Sequence, residues 1–245
     1  MTTTRLRGQR FGDRLRYHRD VVKARIGAHP RLFYPSYRCF GPRWKRPRLV
    51  RPTTRLVIEG YPRSANSFAV QAFQLAQRRE VRVAHHHHVE AQVLRGVEWD
   101  LPVCLLVRPP SDAVRSLLLR DPWIPADWAL SRFLTFYYRL WPLADRCHVA
   151  LFSEVVQDFG AVIRGINRKF GTDFAEFEHT DRNVAFVFER IGRAEAARGL
   201  TLREAARPDS RRSAMKKEIP LDECSPLLIE AQRLYERYAE ISSIV

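Results

Sequence analysis

The sequence predicts an α/β fold in three layers, a parallel sheet with helices on both faces, joined to a basic N-terminal arm. Short apolar runs alternate with helical patterns through residues 53–245 without an internal repeat. The run at residues 101–107 is almost wholly apolar, which is typical of a strand buried on both faces of a parallel sheet. Residues 1–55 hold sixteen basic and two acidic side chains, whereas residues 56–245 hold twenty-six and twenty-five. The basic charge therefore belongs to an arm, residues 1–52, and the domain that follows is close to neutral.

The composition excludes several classes of protein. Apolar residues make up 45% of the chain, which excludes a wholly disordered protein. No run of eighteen apolar residues occurs, and no apolar stretch follows the first basic residues, so neither a membrane span nor a secretory signal is predicted. The four cysteines lie far apart, without the spacing of a zinc site or a disulfide framework. We therefore expect reduced thiols and a cytoplasmic location.

The arm contains a basic amphipathic helix. Phe11, Leu15, Val22 and Ile26 recur at helical spacing, and arginine and lysine side chains surround them. Such a helix either packs its apolar side on the domain or docks on an acidic partner or an anionic membrane. Membrane docking would place the protein at the inner face of the membrane. Residues 41–52 are rich in proline and predict an extended linker, and no specific nucleic acid is expected because no nucleic-acid motif accompanies the arm.

The first strand of the domain, residues 56–58, leads into a small-residue loop and a helix. Turn-forming residues start at Gly60, and an apolar helical pattern starts near Ser67, with Asn66 or Ser67 as its N-cap. A strand that feeds a helix in this way points free backbone N–H groups at one spot, which attracts anions. Arg63 adds a charge and a planar fork that suits phosphate or sulfate oxygens. The loop lacks the G-x-x-x-x-G-K-[ST] pattern of a standard P-loop, and an ordinary turn with a surface arginine is the alternative.

Four consecutive histidines, residues 85–88, follow the second predicted strand at residues 78–84. Successive residues of an extended segment point to opposite sides, so at most two of the four share a side. No cysteine or acidic cluster with ligand spacing accompanies them. A general base that acts on a hydroxyl is therefore a better interpretation than a metal site. In the remaining alternative these side chains only pack or bond to the backbone.

The third strand, residues 101–107, ends at Arg108, and Ser116 lies in the helix that follows. Nucleotide hydrolases and kinases commonly place an acid at the end of such a strand to hold Mg²⁺. A cation there suits a second anionic group instead. Because ligands collect at the carboxyl ends of parallel strands, we expect Arg63, the histidines and Arg108 to face one crevice. Two anion sites in one crevice predict a nucleotide phosphorylated at both ends, and the alternative is that Arg108 bonds to loop carbonyls.

The rest of the chain continues the alternation. An aromatic-rich helical stretch at residues 121–145 predicts core packing or the wall of an acceptor pocket. A fourth strand is expected at residues 148–153, followed by a helix to about residue 170. The polar section at residues 180–219 is expected to contain mobile loops, and a closing helix is expected at residues 225–241.

These segments together resemble the PAPS-dependent sulfotransferases, a family with a P-loop-like fold whose donor is 3′-phosphoadenosine 5′-phosphosulfate (PAPS). Tyr61-Pro-Arg-Ser-Ala-Asn-Ser-Phe68 is similar to the family's 5′-phosphosulfate loop YPKSGTTW, and Arg108-Pro-Pro-Ser-Asp-Ala-Val-Arg-Ser116 is similar to its 3′-phosphate motif RNPKDxxxS. The histidines lie where the family has K-T-H-L-P with its catalytic base. Arg211-Arg-Ser213 lies where a late basic motif closes over the nucleotide. Arg63 replaces lysine, and Ala65 replaces glycine, which requires a different turn if that position needs positive φ.

The resemblance implies a sulfotransferase that moves a sulfuryl group from PAPS to a hydroxyl or amine acceptor, releases the product PAP and needs no metal. It implies that His88 is the catalytic base, with His86 or His85 as fallback, and that Arg63 stabilises the charge on the leaving oxygen. Phe68 is expected to lie near the adenine. The implied nucleotide-binding residues are Arg63, Ser64, Ala65, Asn66, Ser67, Phe68, Arg108, Ser116 and Arg212.

The acceptor is expected to be a small molecule, a glycan or a lipid, and the near-neutral domain gives no hint of a strongly acidic polysaccharide. Two other functions compete with this one. The first is a P-loop-type nucleotide kinase or NTPase on the same fold, against which the missing loop lysine and the cation at Arg108 count. The second is a non-catalytic scaffold that docks to a membrane or an acidic polymer through the arm. Magnesium-dependent ATP turnover would favour the first, and salt-sensitive binding without stabilisation by 3′,5′-ADP would favour the second.

Overall fold

The computed structural model describes residues 11–242, and within this range helices alternate with strands as expected for an α/β fold. None of these helices is long and apolar enough to cross a bilayer. The helices are Phe11–Gly27 (α1), Pro30–Phe40 (α2), Asn66–Ala76 (α3), Glu90–Glu98 (α4), Pro110–Arg120 (α5), Ala126–Leu140 (α6), Phe152–Gln157 (α7), Phe159–Phe170 (α8), Asp181–Ala197 (α9), Ser210–Lys217 (α10) and Pro226–Ser242 (α11). The strands are Leu56–Gly60 (β1), Val83–His85 (β2), Val103–Val107 (β3) and His148–Leu151 (β4), and 3₁₀ helices cover Arg43–Arg48 and Trp141–Arg146.

The four strands form one parallel sheet in the order β2-β1-β3-β4. β1 lies between β2 and β3, with Val57 opposite both Ala84 and Val103. At its end Gly60 approaches β3 so closely that a Cβ would come within 2.4 Å of the Leu106 carbonyl oxygen, so glycine is required there. The carboxyl ends of β1, β2 and β3 therefore lie side by side at one edge of the sheet.

Helices cover both faces of the sheet, which confirms the predicted three layers. Val57 and Leu105 point to one face and pack with α2, α4, α5, α6 and α11. Ile58 and Leu106 point to the other face and pack with α3, α8 and α9. The side chains of these four residues are completely buried, as the apolar character of β1 and β3 predicts.

The second half of the arm is packed on the domain. Phe33 and Tyr34 of α2 are buried in the core that also contains α4. The buried side chain of Gln92 accepts a hydrogen bond from the Tyr34 hydroxyl and donates one to the Arg48 carbonyl oxygen, both at 2.8 Å. These bonds hold the segment before β1 as a 3₁₀ helix instead of the expected extended linker. A domain boundary between residues 52 and 53 stays a prediction.

Helix α1 meets the domain mainly with its polar side. Asp20 accepts a hydrogen bond from Trp123 Nε1 at 3.1 Å. Gly27 packs on Val89 so closely that a Cβ would lie 2.4 Å from the Val89 side chain. Of the predicted apolar stripe only Ile26 packs against the core. The other three stripe residues are largely exposed to solvent: Phe11 at 85%, Leu15 at 64% and Val22 at 52%.

Residues 180–219 contain two helices, α9 and α10, joined by a loop at residues 198–209, and the expected mobility of this loop stays a prediction. Thr180 and Asp209 cap their first turns by accepting hydrogen bonds from backbone N–H groups. Val187 and Ile191, one turn apart, bury α9 against the core. Because charged residues dominate this section, the sequence pattern did not indicate the two apolar residues that pack α9 on the core.

Candidate functional site

The loops that follow β1, β2 and β3 are in direct contact. Ser67 Oγ, at the start of α3, is hydrogen-bonded to His86 Nε2 at 3.0 Å. On the other side, Arg108 Nη1 donates to the Arg63 carbonyl oxygen at 2.8 Å. The structure therefore places the three predicted strand-end segments next to one another.

Backbone strain is concentrated in two of these loops. Within residues 11–242, five non-glycine residues have positive φ, and four of them lie here: Arg63 (73°), Ala65 (64°), His86 (61°) and His88 (55°). The left-handed conformation costs roughly 1 kcal/mol or more at each such residue. Ala65 thus takes a left-handed conformation, and the expected different turn is not needed. Such strain persists only where the surrounding structure imposes it, and it clusters at ligand sites.

The N-terminus of α3 is left without a side-chain cap. The helix begins at Asn66, so the cap position is Ala65 instead of Asn66 or Ser67. Asn66 uses its side-chain amide to donate to the Tyr61 carbonyl oxygen at 3.3 Å, which braces the loop. The N–H groups of the first turn and the positive end of the helix dipole therefore face the loop, which is the geometry of an anion site.

The Arg63 side chain reaches from this loop to α5 and to the segment before α10. Its Nε donates to Ser116 Oγ at 3.0 Å, and its two terminal nitrogens donate to the carbonyl oxygens of Glu204 and Ala205. All three nitrogens are thus engaged by neutral oxygens. No carboxylate lies within salt-bridge distance of Arg63 in the part of the chain that the structure describes. The bonds to Glu204 and Ala205 hold this part of the chain against the loop that follows β1.

Ser116 connects this loop to the late basic segment. The hydroxyl of Ser116, which is fully buried, lies 3.0 Å from Arg212 Nη2 as well as from Arg63 Nε. Arg212 lies in the first turn of α10, and Asp209 caps this helix by accepting from the Arg212 N–H at 3.0 Å. Its neighbour Arg211 has a side chain that is 81% exposed. Of the two candidate arginines, Arg212 is therefore the one in the site.

Arg108 is held in place from two sides. Its guanidinium forms an ion pair with Asp112 at 3.4 Å and stacks 4.0 Å from the centre of the Phe152 ring. Lys216 of α10 bonds to the other oxygen of Asp112 at 2.9 Å, so α5 and α10 are joined through this carboxylate. Arg108 does bond to a loop carbonyl, that of Arg63, as the alternative interpretation proposed, but this bond uses only one of its nitrogens.

Two of the arginines in this group have buried donors without an acceptor. The Nε–H groups of Arg108 and Arg212 have no hydrogen-bond partner among the described residues. A buried donor without an acceptor costs about 1–3 kcal/mol, and more when it is charged. The two donors lie in the segments that the sequence assigned to a phosphate group. An anion in contact with either guanidinium would supply the acceptor that its Nε–H lacks.

The cations of this group also repel one another. Burial lowers the pKa of the Arg63 guanidinium well below its usual value, and the charges of Arg120, Arg212 and Arg108 lower it further. The pKa of Arg212 is lowered first by burial and then by Arg108 and Arg120. A site that disfavours its own positive charges gains free energy from an added anion.

His88 is oriented with one ring nitrogen free. Its Nδ1 lies 2.9 Å from the carbonyl oxygen of Gly60, so Nδ1 carries the proton and Nε2 has the lone pair. Nε2 makes no hydrogen bond to the described residues. Burial, followed by the charge of Lys23, holds the pKa of the imidazole well below its usual value. The ring is therefore neutral at pH 7, the state that a general base requires.

Glu59, near the end of β1, fixes the backbone of the histidine segment. Its carboxylate is fully buried and accepts hydrogen bonds from the N–H groups of His87 (2.8 Å) and His88 (3.0 Å). Burial raises the pKa of Glu59 to about 7. The sequence analysis missed this residue, although an acid inside an otherwise apolar strand is a visible signal.

The other three histidines have different environments. His87 is fully buried against Phe33 and Tyr37, and burial lowers its pKa to about 2, which marks it as a packing residue. The rings of His85 and His86 are hydrogen-bonded to each other, and the second nitrogen of His86 is bonded to Ser67. His85 and His88 thus each have one bonded and one free ring nitrogen, and only in His88 does a backbone carbonyl oxygen fix the tautomer.

Two residues assigned to nucleotide binding are enclosed by protein. Ser64 is completely buried. Phe68 is 5% exposed, and its ring packs on Phe159, Phe177 and Phe188 with centroids 5.3 to 6.2 Å apart. The structure thus shows Phe68 in the core, and its predicted place near the adenine would have to use the small exposed part of the ring.

The arm contributes two lysines to the histidine side of the site. Burial lowers the pKa of Lys23 in α1 to about 8 and that of Lys45 in the 3₁₀ helix to about 7. The backbone carbonyl oxygen of Lys45 lies 3.3 Å from His87 Nε2. No pattern in the sequence indicates that these lysines meet the histidines. Residues 11–242 contain no group of three or more histidine, cysteine, aspartate or glutamate side chains that could hold a metal ion.

No protein-family model matches the sequence, and no curated protein is significantly similar to it. Among solved structures, the chain is similar to mouse sulfotransferase SULT7A1 complexed with PAP, at 15% sequence identity and a TM-score of 0.45. The similarity covers 82% of this chain and 89% of the mouse chain. Similarity of this extent does not assign a family or a function, which have to be inferred from the site.

Proposed function

We propose that this chain is a sulfotransferase that transfers a sulfuryl group from PAPS to a hydroxyl or amine acceptor. The observation that carries the proposal is the pair of buried, unpartnered Nε–H donors on Arg108 and Arg212, of which Arg212 is bonded to Ser116. Arg108 also bonds to the carbonyl oxygen of Arg63, in the loop that leads to the uncapped N-terminus of α3. Two anion sites connected by one loop suit a nucleotide with phosphate groups at both its 3′ and 5′ ends.

In this proposal PAPS, when bound, supplies the sulfuryl group, and the chain binds and orients its two ends. The first-turn N–H groups of α3 and the loop residues 63–67 hold the 5′-phosphosulfate. Arg108, Ser116 and Arg212 hold the 3′-phosphate and gain the acceptor that their buried donors lack. Fixed donors and like-charged arginines stabilise negative charge without reorganisation during transfer.

His88 receives the proton of the acceptor hydroxyl on Nε2. The Gly60 carbonyl fixes the tautomer, and Glu59 fixes the backbone that carries the ring. Stabilisation of the leaving oxygen by Arg63 stays a prediction. Its three nitrogens are engaged by Ser116 and by the carbonyls of residues 204 and 205, so this role would require one of these bonds to be exchanged.

The nucleotide preference separates this function from its competitors. We expect 3′,5′-ADP (PAP) to raise the melting temperature more than ADP or ATP, with or without Mg²⁺. At a hundredfold excess over Kd the stabilisation is about 2.7 kcal/mol, or roughly 5–10 °C for a domain of this size. A thermal-shift panel of the three nucleotides measures this. A larger shift with ATP and Mg²⁺ would favour a kinase or NTPase, and no shift with any nucleotide would favour a non-catalytic scaffold.

We further propose that the arm docks on an anionic membrane. The exposed stripe of α1, defined by Phe11, Leu15 and Val22, is flanked by exposed arginines, among them Arg14 and Arg25. Apolar side chains would enter the interface while the arginines contact anionic headgroups at about 1 kcal/mol each. This combination of apolar and basic groups favours a lipid surface over an acidic protein.

We expect the protein to bind vesicles that contain phosphatidylserine and not vesicles of phosphatidylcholine alone. Replacing Phe11 and Leu15 by serine together should weaken binding at least about tenfold, because each side chain contributes about 1.5–3 kcal/mol when buried. Phe186→Ser, an exposed phenylalanine on α9, is the control. Vesicle sedimentation measures the effect. Equal binding of the double variant and the wild type would rule out insertion of the stripe.

A further inference from the structure

A second group of cations surrounds the ring of Trp44, on the arm side of the histidines. Lys45 Nζ lies 5.1 Å from the ring centroid, Arg48 Cζ lies 5.0 Å from it, and Arg198 Cζ lies 5.2 Å from it. Trp44 itself is 51% exposed. Three cations from the arm and from the end of α9 thus converge on one accessible indole.

These cations have no acidic partners of their own. Within the described residues no carboxylate lies within 4.0 Å of Lys23, Lys45, Arg48 or Arg198. The acids whose charges act on Lys23 are already engaged. Glu59 accepts two backbone hydrogen bonds, and Asp20 accepts one from Trp123. The positive charges of Arg48 and Arg198, and that of Lys45 in its protonated form, are therefore left for a ligand.

The group is held in a fixed position against the histidines. Gln92 donates to the Arg48 carbonyl oxygen at 2.8 Å, and the Lys45 carbonyl oxygen lies 3.3 Å from His87 Nε2. The cations are close enough to act on the catalytic ring, since Lys23 and Lys45 both lower the pKa of His88. Arg48 likewise lowers the pKa of His85, after burial.

This group is distinct from the cations assigned to the nucleotide. The charges that lower the pKa of Lys45 after burial are those of Lys23, Arg48, Arg198 and Arg120. Those that act on Arg63 are Arg120, Arg212 and Arg108. Arg120 is the one member common to both sets. The contacts differ as well: Lys45, Arg48 and Arg198 surround Trp44, whereas hydrogen bonds through Ser116 and the Arg63 carbonyl join Arg63, Arg108 and Arg212. The phosphate groups of the nucleotide thus account for the second set and leave the first for a different anion.

We propose that the acceptor is itself an anion, a hydroxylated molecule such as an acidic sugar whose carboxylate, phosphate or sulfate group binds to Lys45, Arg48 and Arg198 beside Trp44. Its hydroxyl then faces His88 Nε2. This inference rests on the proposed sulfotransferase function and narrows its acceptor. The near-neutral composition of the domain gave no hint of an acidic substrate because the cations that select it come largely from the arm.

The test compares matched sugars in the presence of saturating PAP, which occupies the nucleotide site. By calorimetry, glucuronate and glucose 6-phosphate are expected to bind at least about tenfold more tightly than glucose, since three solvent-weakened charge contacts together supply the ~1.4 kcal/mol to which tenfold corresponds. The double variant Lys45→Gln/Arg48→Gln should lose this preference and retain PAP affinity. Arg43→Gln, an exposed arginine in the same 3₁₀ helix, is the matched control and should keep both.

The outcomes separate the two proposals. If PAP does not bind to the wild type, the proposed function fails. If PAP binds but both anionic sugars bind no more tightly than glucose, or fail to bind, only the anionic acceptor is wrong. Retention of the preference in the double variant would also overturn the inference, because the charge would then be recognised elsewhere.

Discussion

Replacing Arg212 by methionine is expected to lower the affinity for 3′,5′-ADP about a hundredfold and to change the affinity for 5′-AMP little. Arg212 is 9% exposed and bonded to Ser116, and its Nε–H is a buried donor without a partner. Truncating one partner of a buried, hydrogen-bonded charge pair costs about 2–5 kcal/mol, and here only the 3′-phosphate completes the pair. Calorimetric titration with the two nucleotides measures the difference.

Arg211→Met provides the control for this prediction. Arg211 is the adjacent residue in α10, but its side chain is 81% exposed, so the variant loses the same charge without losing the buried contact. The variant Arg212→Met should still fold, because the substitution removes a cation that Arg108 and Arg120 repel in the protein without nucleotide. Equal losses for both nucleotides, or for both variants, would show that Arg212 does not bind the 3′-phosphate.

The second large effect is expected at His88. His88→Ala should reduce turnover about 10²–10⁴-fold while PAP affinity stays near that of the wild type, since the ring acts on the acceptor proton and not on the nucleotide. Turnover with PAPS and the best acceptor of a panel of neutral and acidic sugars measures the loss. Calorimetry with PAP measures the affinity.

The variants His85→Ala and His86→Ala test whether the loss of turnover is specific to His88 or follows the removal of any neighbouring histidine. The rings of His85 and His86 are bonded to each other, and His86 is also bonded to Ser67, so removal of either ring should reduce turnover by much less than removal of His88. If either of these variants loses more activity than His88→Ala, the base has been assigned to the wrong ring. Unchanged turnover in His88→Ala would remove His88 from the mechanism.

The strand-end residues could be located from the sequence because parallel topology determines where they lie. Arg63 and Arg108 each follow an apolar strand, and adjacent parallel strands bring their carboxyl ends together. The pairing of β1 with β3 then places Arg108 on the Arg63 carbonyl. Ser116 follows as well, two helical turns into α5, where it meets Arg63 Nε.

The contribution of the arm could not be predicted, because it depends on tertiary contacts without a local pattern. Lys23 lowers the pKa of His87 and His88 from α1, which Gly27 allows to approach Val89, and Lys45 lies beside His87 because Gln92 holds the 3₁₀ helix. Neither a glycine nor a glutamine signals such a contact in the sequence. The place of Phe68 near the adenine, which the resemblance implied, stays a prediction, and the residue is 5% exposed.

The central claim is that Arg108 and Arg212 hold the 3′-phosphate of a doubly phosphorylated adenosine, and a crystal structure of the complex with 3′,5′-ADP tests it most directly. The account predicts that oxygens of this phosphate lie about 2.7–3.2 Å from nitrogens of both guanidinium groups and from Ser116 Oγ. A 3′-phosphate that lies in solvent or on other side chains, with the two arginines unchanged, would contradict it.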